Sequence, residues 1–287
     1  MIRLGLIGYP LGHSLSPVIQ TAAFQSCRLE GDYSLFPIRP DDRPGLKDLL
    51  DRARMGELQG FNVTIPHKQN VIEFLDQLTP TAEAIGAVNT IYPQGQKLIG
   101  ENTDAPGFLS DLKRFLATET ERHRDLKALV LGAGGSARAV VYALIRDGWE
   151  VTIAARRVEQ AQQLVQSFTT YKSLLTSGIL SENILSPVSN LSLIVNTTPV
   201  GMTPNIDQSP WAENVPFPTG AAIYDLVYNP HETRLVRNAR AQGRPASTGL
   251  GMLIEQAALA FEIWTGHYPA REMLFASVNQ ALVSNLE

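Results

Sequence analysis

An α/β fold in two successive units is what this sequence predicts, and three observations predict it. Strand-like apolar runs alternate with segments of helical periodicity. The alternation begins twice, at Ile2 and again near Leu126. A glycine-rich turn, Gly132-Ala-Gly-Gly-Ser136, then lies between the first strand and the first helix of the second series. At 287 residues the chain has room for two domains of ordinary size.

Ile2 to Gly8 reads as a short buried strand. Ser16-Pro17 starts an apolar-periodic helix to about Arg28, with Ser16 as N-cap and Pro17 at the first helical position, where proline's missing donor has no partner to lose. Tyr33 to Ile38 is a second strand, followed by a helix from about Asp41 to Arg54. Phe61 to Ile65 is a third strand, stopped by Pro66. His67 to Leu78 reads as helix, and Thr79-Pro80 restarts a short one toward Ile85. In the second series Lys127–Leu131, Glu150–Ala154, Leu193–Val195 and Ala221–Leu226 are strands. Ser136–Arg146, Arg157–Phe168 and His231–Ala241 are helices, and Met252–Trp264 and Arg271 to about Leu282 close the chain. Thr118–Arg124 and Thr203–Pro218, polar or proline-rich, are expected to be the least ordered stretches.

Bulk properties narrow the function classes. Hydrophobic content of 44% with 18% charged residues fits a soluble globular protein. A net charge of −4 provides no basic footprint for nucleic acid. No apolar run approaches the roughly 20 residues that span a bilayer, and Leu4–Ile7 is too short for a signal sequence. The single cysteine, Cys27, excludes an intrachain disulfide, and the five scattered histidines show no metal-ligand spacing. A cytoplasmic, metal-free protein that acts on a small molecule, as monomer or homodimer, is expected.

Gly132-Ala133-Gly134-Gly135-Ser136-Ala137 follows a strand and opens a helix, the context that makes G-x-G-x-x-G/A a dinucleotide signal. The first glycine allows the tight turn, the second lets backbone approach a pyrophosphate, and the small Ala137 permits close helix–strand packing. Phosphate would rest on free amides at a positive helix end. An NAD site usually carries an acidic residue after the second strand; here Ala155-Arg156-Arg157 stands instead. Two guanidinium groups suit a 2′-phosphate, so NADP is the expected cofactor. A solvated basic helix start is the plainer alternative.

Hydride transfer to a ketone needs a proton delivered to the developing alkoxide. Lys68 can supply it, or stay charged and stabilise the oxyanion, with Asp104 orienting the ammonium. A lone lysine is most often a solvated surface residue. A cation at a helix start, however, opposes the helix dipole and wants another reason. Ser14 and Ser16 flank the first helix start, where two hydroxyls and free amides suit a carboxylate; alternatively Ser16 only caps the helix and Ser14 is a loop residue.

Together these runs resemble the shikimate dehydrogenase family. The matching stretches are Gly12-His-Ser-Leu-Ser-Pro17, Asn62-Val-Thr-Ile-Pro-His-Lys68, Gly86-Ala-Val-Asn-Thr90, Asn102-Thr-Asp104 and Gly132–Ser136. Asn196-Thr-Thr-Pro-Val-Gly-Met202, Tyr224-Asp-Leu-Val-Tyr-Asn-Pro230 and Gly249-Leu-Gly-Met-Leu-Ile-Glu-Gln256 follow in the right order. The resemblance implies a reversible NADP-linked reduction of 3-dehydroshikimate to shikimate, in the chorismate pathway to aromatic amino acids. It implies a substrate-binding, catalytic domain over 1–104 and 250–287 and a Rossmann-type NADP-binding domain over 105–249, with a cleft between them and the C-terminal helices returning to the first. Carried over, Ser14 and Ser16 bind the substrate carboxylate. Asn62, Thr64, Asn89 and Gln256 contact the ring hydroxyls, and Tyr228 lines that pocket. Lys68 and Asp104 form the catalytic pair. Gly132, Ala133, Gly134, Gly135 and Ser136 hold phosphate, while Leu226 and Gly249 approach the nicotinamide.

The chain departs from the family where Asn-Arg-Thr is common after the second cofactor strand, since Ala155 and Arg157 replace the Asn and Thr and Gln160 falls where a later basic residue is usual. The 2′-phosphate clamp is therefore differently built. Both serines are present, which favours shikimate over quinate. The runner-up reading is a quinate/shikimate dehydrogenase of broader substrate or NAD use. A non-catalytic sensor is the reading from another class, against which Lys68 and Asp104 both stand.

Overall fold

Strand β1 (Ile2–Gly8) is the parallel partner of both β2 (Gly31–Pro37) and β3 (Gly60–Val63), and so sits inside the first of two sheets. The structure is a computed structural model and describes residues 1–12, 14–117, 126–179 and 190–284. It divides into two compact units, Met1–Gly107 with Ile254–Glu287, and Phe108–Leu253.

In the first unit the sheet order is β2-β1-β3-β5-β6-β4, with β4 at Gln77–Leu78, β5 at Thr90–Gln94 and β6 at Lys97–Glu101. β5 runs antiparallel to both β3 and β6. Its hairpin to β6 pairs Gln94 with Lys97 and turns through Gly95 at φ +64°, a conformation glycine adopts without strain. Pro93 within β5 interrupts the alternating strand pattern, so the hairpin carries little local signature in the sequence. Helix α2 (Arg43–Arg54) shows why a helix forms on this sheet: Leu46, Leu49, Leu50 and Ala53 are buried at helical spacing, and Asp42 caps its start by accepting from the Gly45 amide at 2.9 Å. These side chains join Ile7, Phe61, Val63, Val88, Ile91 and Leu98 in one core.

Two expectations are corrected here. Helix α1 (Ser16–Cys27) begins with Ser16 already helical and Leu15 in the cap position. The Ser16 amide donates to Ser14 Oγ at 3.2 Å, so Ser14 satisfies the first free amide and the Ser16 hydroxyl is left for other work. His67–Leu78 is also not one helix. It is a short α3 (His67–Asn70), a 3₁₀ turn over Val71–Phe74 and then β4, because Gln77–Leu78 find a parallel partner in β6.

After α4 (Pro80–Ile85), helix α5 (Asp104–Ala117) carries the chain into the second unit. There the strands are β7 (Lys127–Leu131), β8 (Glu150–Ala155), β9 (Leu175–Ile179), β10 (Leu193–Asn196), β11 (Ala222–Asp225) and β12 (Ala246–Thr248). All are parallel in the order β12-β11-β10-β7-β8-β9. This is the Rossmann arrangement, whose strand order reverses between β7 and β10. Helices α6 (Gly135–Arg146), α7 (Val158–Ser167) and α8 (Arg234–Ala241) connect the strands. Thr203–Pro218 carries no helix or strand, yet Trp211 and Phe217 stack within the core at 5.0 Å and Trp211 donates to the Val215 carbonyl. Thr118–Arg124 lies outside the described residues.

Helix α9 (Leu250–Thr265) returns the chain to the first unit, and α10 (Arg271–Ser284) follows. Phe261 of α9 meets Phe24 of α1 edge-on at 5.1 Å. Trp264 donates to the Ile91 carbonyl and lies so close to Gly60 that a Cβ there would stand 2.1 Å from its indole nitrogen.

Candidate active site

Lys68 is placed by three local features. Thr64 ends its strand with a backbone bond to Ile7 O, the His67 amide donates to Thr64 O, and the Val88 amide donates to Lys68 O at 2.7 Å. His67 is itself buried and donates from Nε2 to the Ile38 carbonyl. Held on both sides, Lys68 reaches Asp104, the first residue of α5, with Nζ 2.6 Å from Oδ2. The side chains are 12% and 6% exposed, so this ion pair is largely withdrawn from water and differs in kind from the exposed pairs elsewhere on the surface.

Asn89 is the hub beside that pair. Its Nδ2 lies within hydrogen-bond distance of Thr103 Oγ1 (2.9 Å), Asp104 Oδ1 (2.8 Å) and Gln256 Oε1 (3.2 Å). Its Oδ1 accepts from the Thr103 amide at 2.7 Å and from the Thr90 hydroxyl at 3.1 Å. Asp104 thus accepts from an ammonium on one oxygen and from an amide on the other, which fixes the carboxylate plane. Gln256 arrives from α9, far along the chain, and joins Asn89 within the first unit.

Around α1 a second group assembles. The Tyr33 phenol donates to Asn62 Oδ1 at 2.8 Å and takes a hydrogen bond from the Ser16 hydroxyl. Burial pushes this phenol above its ordinary range, with the Ser16 bond opposing, so it stays a neutral donor. Asn62 Nδ2 is turned inward to Asn89 O and Thr90 Oγ1. Its polar atoms therefore join the serine group to the Asn89 hub. Thr64 sits with its methyl against Gly8, where a Cβ would come within 2.3 Å. His13, between Gly12 and Ser14, lies outside the described residues.

Tyr33, Thr90 and Thr103 belong to this constellation and were not singled out from sequence. Thr90 and Thr103 lie inside quoted motifs, so adjacency was a usable signal. Tyr33 sits in a strand next to polar residues, and nothing local marks it.

In the second unit the glycine turn sits at the strand-order reversal. Gly132 has φ +113° and its amide donates to Ala154 O at 2.8 Å, so the turn needs a residue without a Cβ. A Cβ on Gly134 would meet nothing within 4 Å, which leaves open space at the start of α6, while Ala137 is fully buried. Ala133, Gly135 and Ser136 complete the turn and the first residues of that helix. Arg156 and Arg157 are both exposed at the end of β8, and Arg157 is the N-cap residue of α7. Open backbone at a helix N-terminus with guanidinium groups after the neighbouring strand fits a dinucleotide carrying a 2′-phosphate. Leu226 and Gly249 are neighbours: a Cβ on Gly249 would stand 2.4 Å from Leu226 O. Burial raises the Tyr228 phenol, two residues beyond Leu226 in the second unit. Among the described residues no group of His, Cys, Asp and Glu could hold a metal ion, and no helix is long and apolar enough to cross a membrane.

Comparison with known proteins matches three stretches of this chain to family models. Residues 6–91 match the shikimate dehydrogenase substrate binding domain, 115–198 match shikimate / quinate 5-dehydrogenase, and 249–272 match the shikimate 5′-dehydrogenase C-terminal domain. A shikimate dehydrogenase (NADP(+)) of Salinibacter ruber is 42% identical over 282 residues, 96% of this chain and 95% of its own. That of Shouchella clausii is 37% identical over 272 residues, 95% of this chain and 96% of its own. Among solved structures, shikimate 5-dehydrogenase of Thermus thermophilus in complex with NADP(H) and shikimate superposes with a TM-score of 0.83 at 38% identity, covering 98% of this chain and 100% of that one.

Proposed function

The chain belongs to the shikimate dehydrogenase family, and from that premise we propose the roles of its residues in the reversible NADP-dependent reduction of 3-dehydroshikimate to shikimate. The observation that carries the assignment of roles is the withdrawn Lys68–Asp104 pair, 2.6 Å apart, with Asn89 and Gln256 against it.

Bound NADPH would supply the hydride, with its phosphates on the Gly132–Ser136 turn, its 2′-phosphate on Arg156 and Arg157 and its nicotinamide toward Leu226 and Gly249. The alkoxide that develops at the reduced carbon needs a proton, and we assign its delivery to Lys68 Nζ. Asp104 holds Nζ at one position and keeps a compensating negative charge beside it, so a proton leaving or returning to Nζ does so from a fixed geometry. The substrate carboxylate lies on the Ser14 and Ser16 hydroxyls near the α1 start. Asn89, Gln256 and Thr64 meet the ring hydroxyls, and Asn62 acts on the same pocket through Tyr33. Tyr228 takes its part in substrate binding from the family resemblance. We place the protein in the cytoplasm, where its lone Cys27 stays reduced.

The test is a spectrophotometric assay of the purified protein with shikimate or quinate, each paired with NADP or NAD. Turnover is expected with shikimate and NADP above every other pair. No turnover with any pair would sink the reading, and a preference for NAD would remove Arg156 and Arg157 from the cofactor site.

A further inference from the structure

We propose that Asp225 is a positioning residue that holds the turns after β10 and β11 in the shape that receives the cofactor's nicotinamide end, a step that rests on the cofactor placement above. Asp225 ends β11 fully buried, and its three hydrogen-bond donors are all neutral. Asn196 Nδ2 (2.8 Å) and the Val227 amide (3.0 Å) bind Oδ1, and Thr233 Oγ1 (2.7 Å) binds Oδ2. A buried carboxylate without a cation is unfavourable as mere filling, because desolvation opposes its charge. What it does instead is connect loops.

Asn196 turns its own Oδ1 to the Thr198 amide (2.9 Å) and hydroxyl (2.7 Å), which shapes the chain after β10. Thr197 there donates to Leu131 O at 2.7 Å, and a Cβ on Gly132 would stand 2.6 Å from its hydroxyl. On the other side, the Val227 bond bends the chain just past Leu226, whose carbonyl lies against Gly249. Thr203 and Asn229 then join the two turns, hydroxyl to amide oxygen, at 3.0 Å. One carboxylate therefore ties the phosphate turn to the Leu226–Gly249 contact.

Its ionisation is adjustable. Burial pushes the Asp225 carboxyl up to about 6, against the opposing bonds from Thr233, Val227 and Asn196. The groups that face it are Asn196 from β10, the Val227 amide from the following turn, Thr233 from the start of α8 and Thr248 as its register partner on β12; none of them titrates near neutral pH. Tyr224, the adjacent titratable residue, donates to Asp111 instead. Bonds to an ionised carboxylate are roughly twice as strong as neutral ones, so protonation loosens both turns.

The experiment is NADP binding by the full chain across about pH 5 to 8, wild type against Asp225→Asn, with shikimate binding measured alongside. The 2′-phosphate itself titrates near 6, so the readout is the ratio of the two affinities at each pH, in which that contribution cancels. The ratio is expected to be about tenfold in favour of wild type at the alkaline end and to fall to about one at the acid end, with shikimate affinity unchanged. A ratio of one throughout, or one that does not vary with pH, overturns the proposal while leaving the cofactor site standing. Failure of the wild type to bind NADP overturns both. If Asp225→Asn does not fold, Thr233→Val and Thr233→Ser decide. Loss of the hydroxyl moves the carboxyl further up, so Thr233→Val should bind more weakly than Thr233→Ser near neutral pH and equally at about pH 5; a ratio independent of pH overturns the proposal.

Discussion

Replacing Lys68 with Met keeps the stem's length and removes the ammonium, which separates the lysine's chemistry from its packing. The structure sets two magnitudes. Asp104, 6% exposed, loses the donor on Oδ2 and keeps Asn89 on Oδ1 at 2.8 Å. A buried carboxylate left without its cation costs about 3–5 kcal/mol, with roughly 2–4 °C in Tm per kcal/mol for a protein of this size. Loss of a positioned acid–base group costs about 10²–10⁴ in rate, about 3–5 kcal/mol on the barrier. The assay is steady-state kinetics with shikimate and NADP beside a thermal melt. The expected outcome is a collapse of kcat with KM for shikimate changed by less than about tenfold. Adding Asp104→Asn should then restore much of the lost stability, because no buried charge remains unpaired, while activity stays down. A single variant that keeps kcat and raises KM would refute the reasoning and make Lys68 a binding group. A double variant that regains turnover would refute it equally.

Further outcomes follow from other parts of the molecule. Arg156→Glu with Arg157→Glu should lower kcat/KM for NADP by about 10–100-fold, affect NAD far less and leave the melt unchanged, since both side chains are exposed; equal losses for the two cofactors would remove them from the 2′-phosphate. Ser14→Ala should raise KM for shikimate with little change in kcat, and unaltered kinetics would take Ser14 out of the pocket. Asp225 affects stability as well as binding. Its carboxyl rises from 3.8 to about 6 on folding, so the native state holds the proton more tightly than the unfolded chain. Its contribution should therefore grow as pH falls from about 7 to about 4, by about 2 kcal/mol at 1.36 kcal/mol per unit. Denaturant melts of wild type minus Asp225→Asn across that range should show this slope, and a flat difference would contradict it.

How much of this was legible in the sequence depended on whether the signal was local. Asp42 before a run of leucines at helical spacing announces α2, and Gly132 before a helix announces the nucleotide turn, because cap and turn chemistry act within a few residues. The β5–β6 hairpin was hidden by Pro93, and His67–Leu78 looked like helix because β4's partner lies in β6, some twenty residues on. Ser16 reads as a cap because Pro17 after it suits the first helical position; the structure gives the first amide to Ser14 instead. The fold class needed only periodicity. Which side chains meet needed the topology.

The same division runs through the site. Lys68, Asn62, Asn89 and Asp104 sit in motifs whose residue types suggest polar work, but Asn89 finds Gln256 on α9, far along the chain, and Asn62 finds Tyr33 on β2, which no neighbouring residue marks. Buried polar clusters of this kind are costly to leave half made, since every unpaired donor or acceptor carries its desolvation penalty. Asn89 avoids it by engaging Thr103, Asp104, Gln256 and Thr90 together. Removing any one partner should therefore disturb the orientation of Asp104, and through it the position of Nζ on Lys68. The residues that touch no substrate are then as necessary to the proton's geometry as the lysine that carries it, and Thr103→Val, which silences one hydroxyl without changing volume, should lower kcat more than it lowers stability if that coupling holds. Kinetics and a melt of that single variant decide it: a fall in stability with kcat intact would reduce the network to scaffolding.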